Sequence, residues 1–406
     1  MKKIIFTYLF AGCFILSCRS QKGHSSVSYS SDGNGGKGQH SISINDDNGY
    51  LEVKYTGDII FNEEETAIKS ISPNGYIRYK RNGKKIEATA GENGRIEYEV
   101  NGGDKKTDLN NDEALLLTSA IKTLIGYGIG AGERVERIYK KGGSTAVLNE
   151  VRNMKSDFVK AIYLGYLLET NSLTADEMTG IANQTKTLIG SDFEKGKLLS
   201  KFSSKYLANE TTAQAYLGAV KSISSDFEKA NAVKIILKER LSPAQFTEVL
   251  QLTKFISSDF EKSNVLKEVL QNNKISADQF SEVLQTTATI NSDFEKANVL
   301  KSILNNNKLP EAQFNETLNI ITNISGDFEK GNILKQVAEG EITNEAQWIT
   351  LISSTAKLSS DFEKGNVLAT IASKMPATEN LKAAYLKSAK TLSSDFEYGK
   401  AIRAMK

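Results

Sequence analysis

Three patterns of apolar and polar positions follow one another along the chain. Behind Lys2 and Lys3, the run from Ile4 to Leu16 is almost wholly apolar. From Tyr50 to about Val100 apolar and polar residues alternate, as in Leu51-Glu52-Val53-Lys54-Tyr55, Gly75-Tyr76-Ile77-Arg78-Tyr79, Lys85-Ile86-Glu87-Ala88 and Arg95-Ile96-Glu97-Tyr98-Glu99-Val100. Beyond residue 153 apolar residues recur at helical spacing inside a longer period of about 34 residues.

Alternation puts successive side chains on opposite faces of a strand, one dry and one wet. The breaks Pro73-Asn74-Gly75, Arg81-Asn82-Gly83 and Glu92-Asn93-Gly94 each contain Asn-Gly, a strong hairpin signal. Residues 49–103 therefore predict a small antiparallel β-meander of four or five strands. Such a sheet is marginal alone, so it is expected to pack on the helix that follows, Asp112–Ile125, capped by Asn111 or Asp108. Residues 108–152 form a helical junction: a break at Gly126-Tyr127-Gly128-Ile129-Gly130, a helix from Gly132 to Tyr139, a stop at Gly142-Gly143, and a further start at Ala146–Arg152. The spaced glycines are not a phosphate loop, because no Lys-Ser/Thr follows them and no strand run immediately precedes.

The long period is carried by a Ser-Asp-Phe motif that appears eight times, with aspartates at 157, 192, 226, 259, 293, 327, 361 and 395. Intervals of 33–35 residues held over this length predict an α-solenoid of about eight helix-pair repeats over residues 153–406, a mainly α fold. The motif reads as a helix start: Ser156, Ser191, Ser225, Ser258, Ser292, Gly326, Ser360 and Ser394 stand at the N-cap. In six copies a serine cap is followed by Glu three residues on, so a full capping box is expected, with the aspartate complementing its own helix dipole. Phe158, Phe193, Phe227, Phe260, Phe294, Phe328, Phe362 and Phe396 are expected as core anchors. Three residues past each phenylalanine stands a small residue, six past an aliphatic one, and nine past another large apolar one, which reads as one stripe admitting a close neighbouring helix. The second helix of the pair starts at caps such as Ser242, Ser276 and Asn344 with Gln at N3. Phe246, Phe280, Phe314 and Trp348 occupy equivalent places in it and are expected in the core.

The ends and the composition narrow the function. The apolar run is shorter than the roughly 20 residues of a bilayer span and ends at Ile15-Leu16-Ser17-Cys18, a lipobox-like sequence. Residues 1–17 are read as a lipoprotein signal peptide and Cys18 as the acylated N-terminus of an exported, envelope-anchored chain, facing the periplasm or the cell surface. Residues 18–48, rich in Ser, Gly, Asn and Asp, read as a flexible tether. No cysteine follows Cys18, so stability rests on packing without disulfides. A net charge of +2 with interspersed signs provides no phosphate-neutralising patch, which argues against nucleic acid as a partner.

Both histidines, His24 and His40, fall in the tether, which leaves no imidazole for a triad, a zinc site or a general base in the folded part. No catalytic, cofactor or metal residue is assigned. Lys160, Lys195, Lys229, Lys262, Lys296, Lys330 and Lys364 are expected on a solvated, ion-paired face.

The stretch Gly128–Leu168 is similar to a segment of uncharacterised bacterial envelope proteins. It contains Gly130-Ala131-Gly132-Glu133-Arg134-Val135, Ala146-Val147-Leu148-Asn149-Glu150-Val151 and Ser156-Asp157-Phe158. In those proteins the segment leads into repeats of the Ser-Asp-aromatic type. Some resemble C-terminal extensions of membrane metallopeptidases of the β-lactam-sensor class. The likeness covers about residues 50–406, but this chain has no His-Glu-x-x-His and no peptidase residue carries over. The resemblance implies a sensing or binding module at the envelope. The leading expectation is a non-enzymatic scaffold that binds proteins along the repeats. A regulatory subunit acting on an envelope protease or signalling protein is the alternative, and a carboxylate-based carbohydrate-active enzyme the third.

Overall fold

The computed structural model describes residues 26–32, 39–46, 49–170, 172–272, 275–306 and 309–405, and Cys18 with its signal segment lies outside them. The chain divides into two compact units, Met1–Ser172 and Leu173–Lys406.

In the first unit an antiparallel sheet runs in the order β1 (Ser26–Asp32), β2 (Gln39–Asp46), β3 (Gly49–Thr56), β6 (Tyr76–Arg81), β7 (Lys84–Ala90), β8 (Ile96–Val100). A separate ribbon pairs β4 (Ile59–Phe61) with β5 (Ile68–Ile71). Among the described residues the sheet thus begins inside the segment expected as a tether. The reason is Ser41-Ile42-Ser43-Ile44, a four-residue alternation set in polar sequence, whose isoleucines are buried opposite Val53 and Leu51. His40 consequently belongs to the fold, stacked on Tyr55 at 4.8 Å, and burial lowers its pKa. The β6–β7 turn is Asn82-Gly83 with φ of 49° and 81°, the left-handed pair that a two-residue hairpin requires.

The dry face of the sheet packs on Leu117, Ala120, Ile121 and Leu124 of α1 (Asn111–Gly126). Asn110 caps α1 in a reciprocal box with Glu113, between the two expected caps Asp108 and Asn111. Gly130, with φ 75°, lies against the Phe61 ring, where a Cβ would stand 2.8 Å from a ring carbon. The glycine run therefore serves close packing. Next, α2 (Ala131–Asn153) kinks at Gly142-Gly143 and packs on α3 (Asp157–Thr170). Arg134 of α2 binds Glu65 at 2.6 Å and Glu150 at 2.9 Å. Arg137 adds a second bond to Glu65 at 2.7 Å, fixing the loop of the β4–β5 ribbon on the helix.

The second unit consists of two helix layers. B helices are α4 (Ala175–Leu188), α7 (Glu210–Lys221), α9 (Pro243–Lys254), α11 (Ala277–Ala288), α13 (Glu311–Thr322), α15 (Glu345–Thr355) and α17 (Glu379–Ala389). A helices, which begin with the motif, are α5 (Asp192–Lys201), α8 (Asp226–Ile236), α10 (Asp259–Asn272), α12 (Asp293–Asn306), α14 (Asp327–Glu339), α16 (Asp361–Lys374) and α18 (Asp395–Ala404), with the short α6 (Ser203–Leu207) continuing α5. Each A helix packs on the next A helix and each B helix on the next B helix. From α8 onward successive A helices pack more closely on one another than successive B helices do. This is the repeat array that the period implies. The B-helix aromatics Phe246, Phe280, Phe314 and Trp348 sit in its core.

Candidate functional site: the outward face of the A helices

What the Ser-Asp-Phe-Glu-Lys motif does divides residue by residue. The serines cap as expected: Ser225 Oγ accepts from the Glu228 amide at 3.4 Å, and Ser360 Oγ from the Glu363 amide at 3.3 Å. Ser156, Ser191, Ser258, Ser292 and Ser394 do the same, whereas Gly326 offers no side chain. The glutamate half of the expected box does not form in these helices, because the N-cap amide is already taken by the aspartate of the preceding repeat. Asp192 accepts from the Ser224 and Ser225 amides at 3.0 and 2.7 Å, and Asp226 from Ser257 and Ser258 at the same distances. Asp259, Asp327 and Asp361 repeat the double contact, and Asp293 holds the Gly326 amide at 2.8 Å. The aspartate is thus an inter-repeat clamp on the next helix start, where the dipole is positive.

The lysines complete the clamp; the expected ion pairing is present at Lys160, Lys195 and Lys330, which pair with Asp157, Asp192 and Asp327, but the expected solvation is not. Lys195, Lys229, Lys262, Lys330 and Lys364 are only 4–6% exposed. Lys229 donates to the Phe255 carbonyl at 2.9 Å, Lys330 to Lys357 at 3.1 Å and Lys364 to Thr391 at 3.2 Å, the turns that end the B helices. One turn of α5, α8, α14 and α16 thereby grips both poles of the following inter-helix turn, the carboxylate on its amides and the ammonium on its carbonyl, while Lys262 of α10 reaches the Thr289 hydroxyl instead. Burial works against the Asp327 carboxylate, but the Ser360 amide and the Lys330 ammonium outweigh it and hold its pKa below the ordinary 3.8. The glutamates pack onto the small residue of the preceding repeat. A Cβ on Gly331 would stand 2.9 Å from Glu363 Oε2, and Ser263 donates to Glu295. The small position makes room for the first turn of the neighbouring A helix, chiefly for its glutamate side chain. Burial, then the charge of Asp192, raises the pKa of Glu228.

The phenylalanines are the third correction. Phe193, Phe227, Phe260, Phe294, Phe328, Phe362 and Phe396 are 43–72% exposed, and Phe158 is half-buried. The expected stripe stepped by three, and an α-helix turns about 100° per residue, so each step slips roughly 60° and the first member ends opposite the last. The small, aliphatic and large apolar members three, six and nine residues on are buried as expected, such as Ala230, Val233 and Ile236, together with the residue five on, Ala232; only the phenylalanine leaves the stripe. The residues that share the outward face with Phe lie four and seven on. Four on stand Asn231, Asn264, Asn298, Asn332 and Asn366, all half-buried. Seven on stand Lys234, Lys267, Lys301 and Lys335.

The exposed face is therefore a triple row of rings, carboxamides and ammonium groups on consecutive A helices. Lys400 lies over the Phe362 ring at 5.4 Å. Between α5 and α8 the face opens into a shallow groove of about 430 Å³, bordered by Lys197, Lys201, Asn231 and Ile235. Sequence reasoning found the phenylalanines but put them on the wrong side, and it passed over the asparagine row, whose recurrence at a fixed offset was the available signal. Among the described residues no group of His, Cys, Asp and Glu gathers where it could hold a metal ion. No single described helix is long and apolar enough to cross a membrane; α1 and α2 meet that test only together, bent by 87°. No protein-family model matches the chain, and no curated protein matches it.

Proposed function

We propose that the chain is a non-enzymatic, protein-binding scaffold, anchored in a bacterial envelope through acylated Cys18, that holds its partner along the outward face of the A helices. One observation carries this reading: phenylalanine stands exposed at the same helical position in seven successive repeats. A ring left in water forgoes about 1.5–3 kcal/mol of burial, and a contiguous apolar row rimmed by polar groups is the signature of an interaction surface. The motif carboxylates support the absence of catalysis, since the aspartates from Asp192 to Asp361 are committed to amides and the glutamates are packed between repeats. The lipobox-like sequence and the likeness to envelope proteins support the location.

The test is affinity capture from envelope extracts with the full chain and with a variant carrying Phe227→Ser, Phe260→Ser, Phe294→Ser and Phe328→Ser. The wild type is expected to retain a specific protein that the variant loses. Retention by neither, or equal retention by both, overturns the reading.

A further inference from the structure

Resting on that reading, we infer that the A-helix face receives an extended, acidic polypeptide segment whose main chain is held by the asparagine row. Asn recurs four residues after Phe in five consecutive repeats, at a mid-helix position where it is a weaker helix former than Ala or Leu. It serves nothing within the fold. The carboxamides of Asn231, Asn264, Asn298 and Asn332 make no hydrogen bond among the described residues, and only Asn366 has a partner, Lys400. A carboxamide offers an acceptor and two donors side by side, the complement of a peptide group. A partner with its own secondary structure has already spent those groups, whereas an extended one has not.

The spacing agrees with one backbone form. Packed helices lie about 8–10 Å apart. A polyproline-type strand repeats every three residues with a rise of about 3.1 Å each, or roughly 9.3 Å. Such a segment presents an equivalent peptide group to each successive repeat, so five repeats engage about 15 residues. The phenylalanine rings then seat the apolar side chains between the held peptide groups, as aromatic grooves do for extended ligands.

Charge sets the composition. Lys267, Lys301 and Lys335 border the row, half-buried and without an ion pair among the described residues, and Lys234 has only Glu261 at 3.9 Å. Of the residues eight past Phe on these helices, Ile235, Glu268, Ser302, Gln336 and Thr370, one is acidic. Of the motif glutamates, Glu228 lines the groove with Lys197 and Lys201 while Glu261 stands beside Lys234, so cations outnumber acids along the row. The face therefore favours carboxylates on its ligand.

The experiment selects random 15-residue peptides displayed on phage against the full chain. It then compares binding of the selected peptides, by fluorescence anisotropy, to the wild type and to the Asn264→Ala, Asn298→Ala, Asn332→Ala triple variant. Acidic peptides are expected to be enriched, and the triple variant to bind them at least about tenfold more weakly, while its urea unfolding curve stays in place. Enrichment of neutral or basic peptides, no enrichment, or unchanged binding by the triple variant overturns the inference. If the triple variant still captures the envelope protein that the phenylalanine variant loses, the scaffold stands and the extended segment falls. If vesicles of phosphatidylglycerol bind the wild type and neither peptide nor protein does, both readings fall and the face is a membrane-binding one.

Discussion

Replacing Asp327 with alanine tests the clamp between repeats directly. The substitution removes a carboxylate oxygen that accepts from the Ser359 amide at 2.8 Å and the Ser360 amide at 2.6 Å, and it deprives Lys330 of an ion pair at 3.3 Å. Hydrogen bonds to charged groups contribute about 1.5–3 kcal/mol each. Here the two share one oxygen, Ser359 is exposed so that water can replace its partner, and Lys330 keeps the Lys357 carbonyl. A net cost of about 2–3 kcal/mol follows. Trp348, the only tryptophan, is buried on α15 between the two helices joined by this clamp, so its fluorescence reports the local interface while far-UV circular dichroism reports the whole array. With urea slopes of about 1–3 kcal/mol per M, the tryptophan-detected midpoint is expected to fall by on the order of 1 M. Asp395, exposed and without a hydrogen bond among the described residues, is the matched control, and its alanine variant should move the midpoint little. The pH dependence has a defined sign. A carboxylate whose pKa is lower in the folded than in the unfolded state stabilises fully above its unfolded value and loses that contribution as pH falls through the folded value. For Asp327 the loss begins near 3.8 and continues downward. The wild-type advantage over Asp327→Ala should therefore be constant near neutrality and shrink below about pH 4. A variant that unfolds with the wild-type midpoint at pH 7 would falsify the clamp.

Three further outcomes are expected. Phe294→Ala should leave the urea midpoint nearly unchanged because the ring is 62% exposed, whereas Phe314→Ala, in the core of α13, should cost about 3–5 kcal/mol. Gly331→Val should destabilise the array by about 1–3 kcal/mol despite better helix propensity, because its side chain enters the space of Glu363; an unchanged or raised midpoint refutes the packing account. Cys18→Ala should move the protein from the membrane to the soluble fraction on cell fractionation, and continued membrane association would exclude lipid anchoring through that residue.

The solenoid was legible because its punctuation is local chemistry: a capping serine at fixed intervals, Gln at N3 of the B helices, and Pro243 at the first helical position. The sheet was legible where alternation was dense, from Leu51 to Val100. It was missed at Ser41–Ile44, where two isoleucines stood in a composition typical of a linker. The short ribbon at Ile59–Phe61 and Ile68–Ile71 was missed because three or four residues carry too little alternation to register. The binding face was legible only in part. Spacing identified the recurring phenylalanine, but whether it faces core or water depends on a rotation that a three-residue step lets drift. The aspartates and lysines were misassigned for a different reason. Their partners lie 26 to 33 residues away in the neighbouring repeat, and no pattern within one helix reveals a bond to the next.

The grip of these A helices on the turn that follows has a direction. Asp and Lys reach forward along the chain, never to the turn behind, so a completed repeat holds a ready receptor for the amides and carbonyl of residues not yet folded. A polypeptide that emerges N-terminus first delivers those residues in that order. Assembly can then proceed as templated growth, each unit docking as it emerges, with no need to wait for the last helix before the first becomes secure.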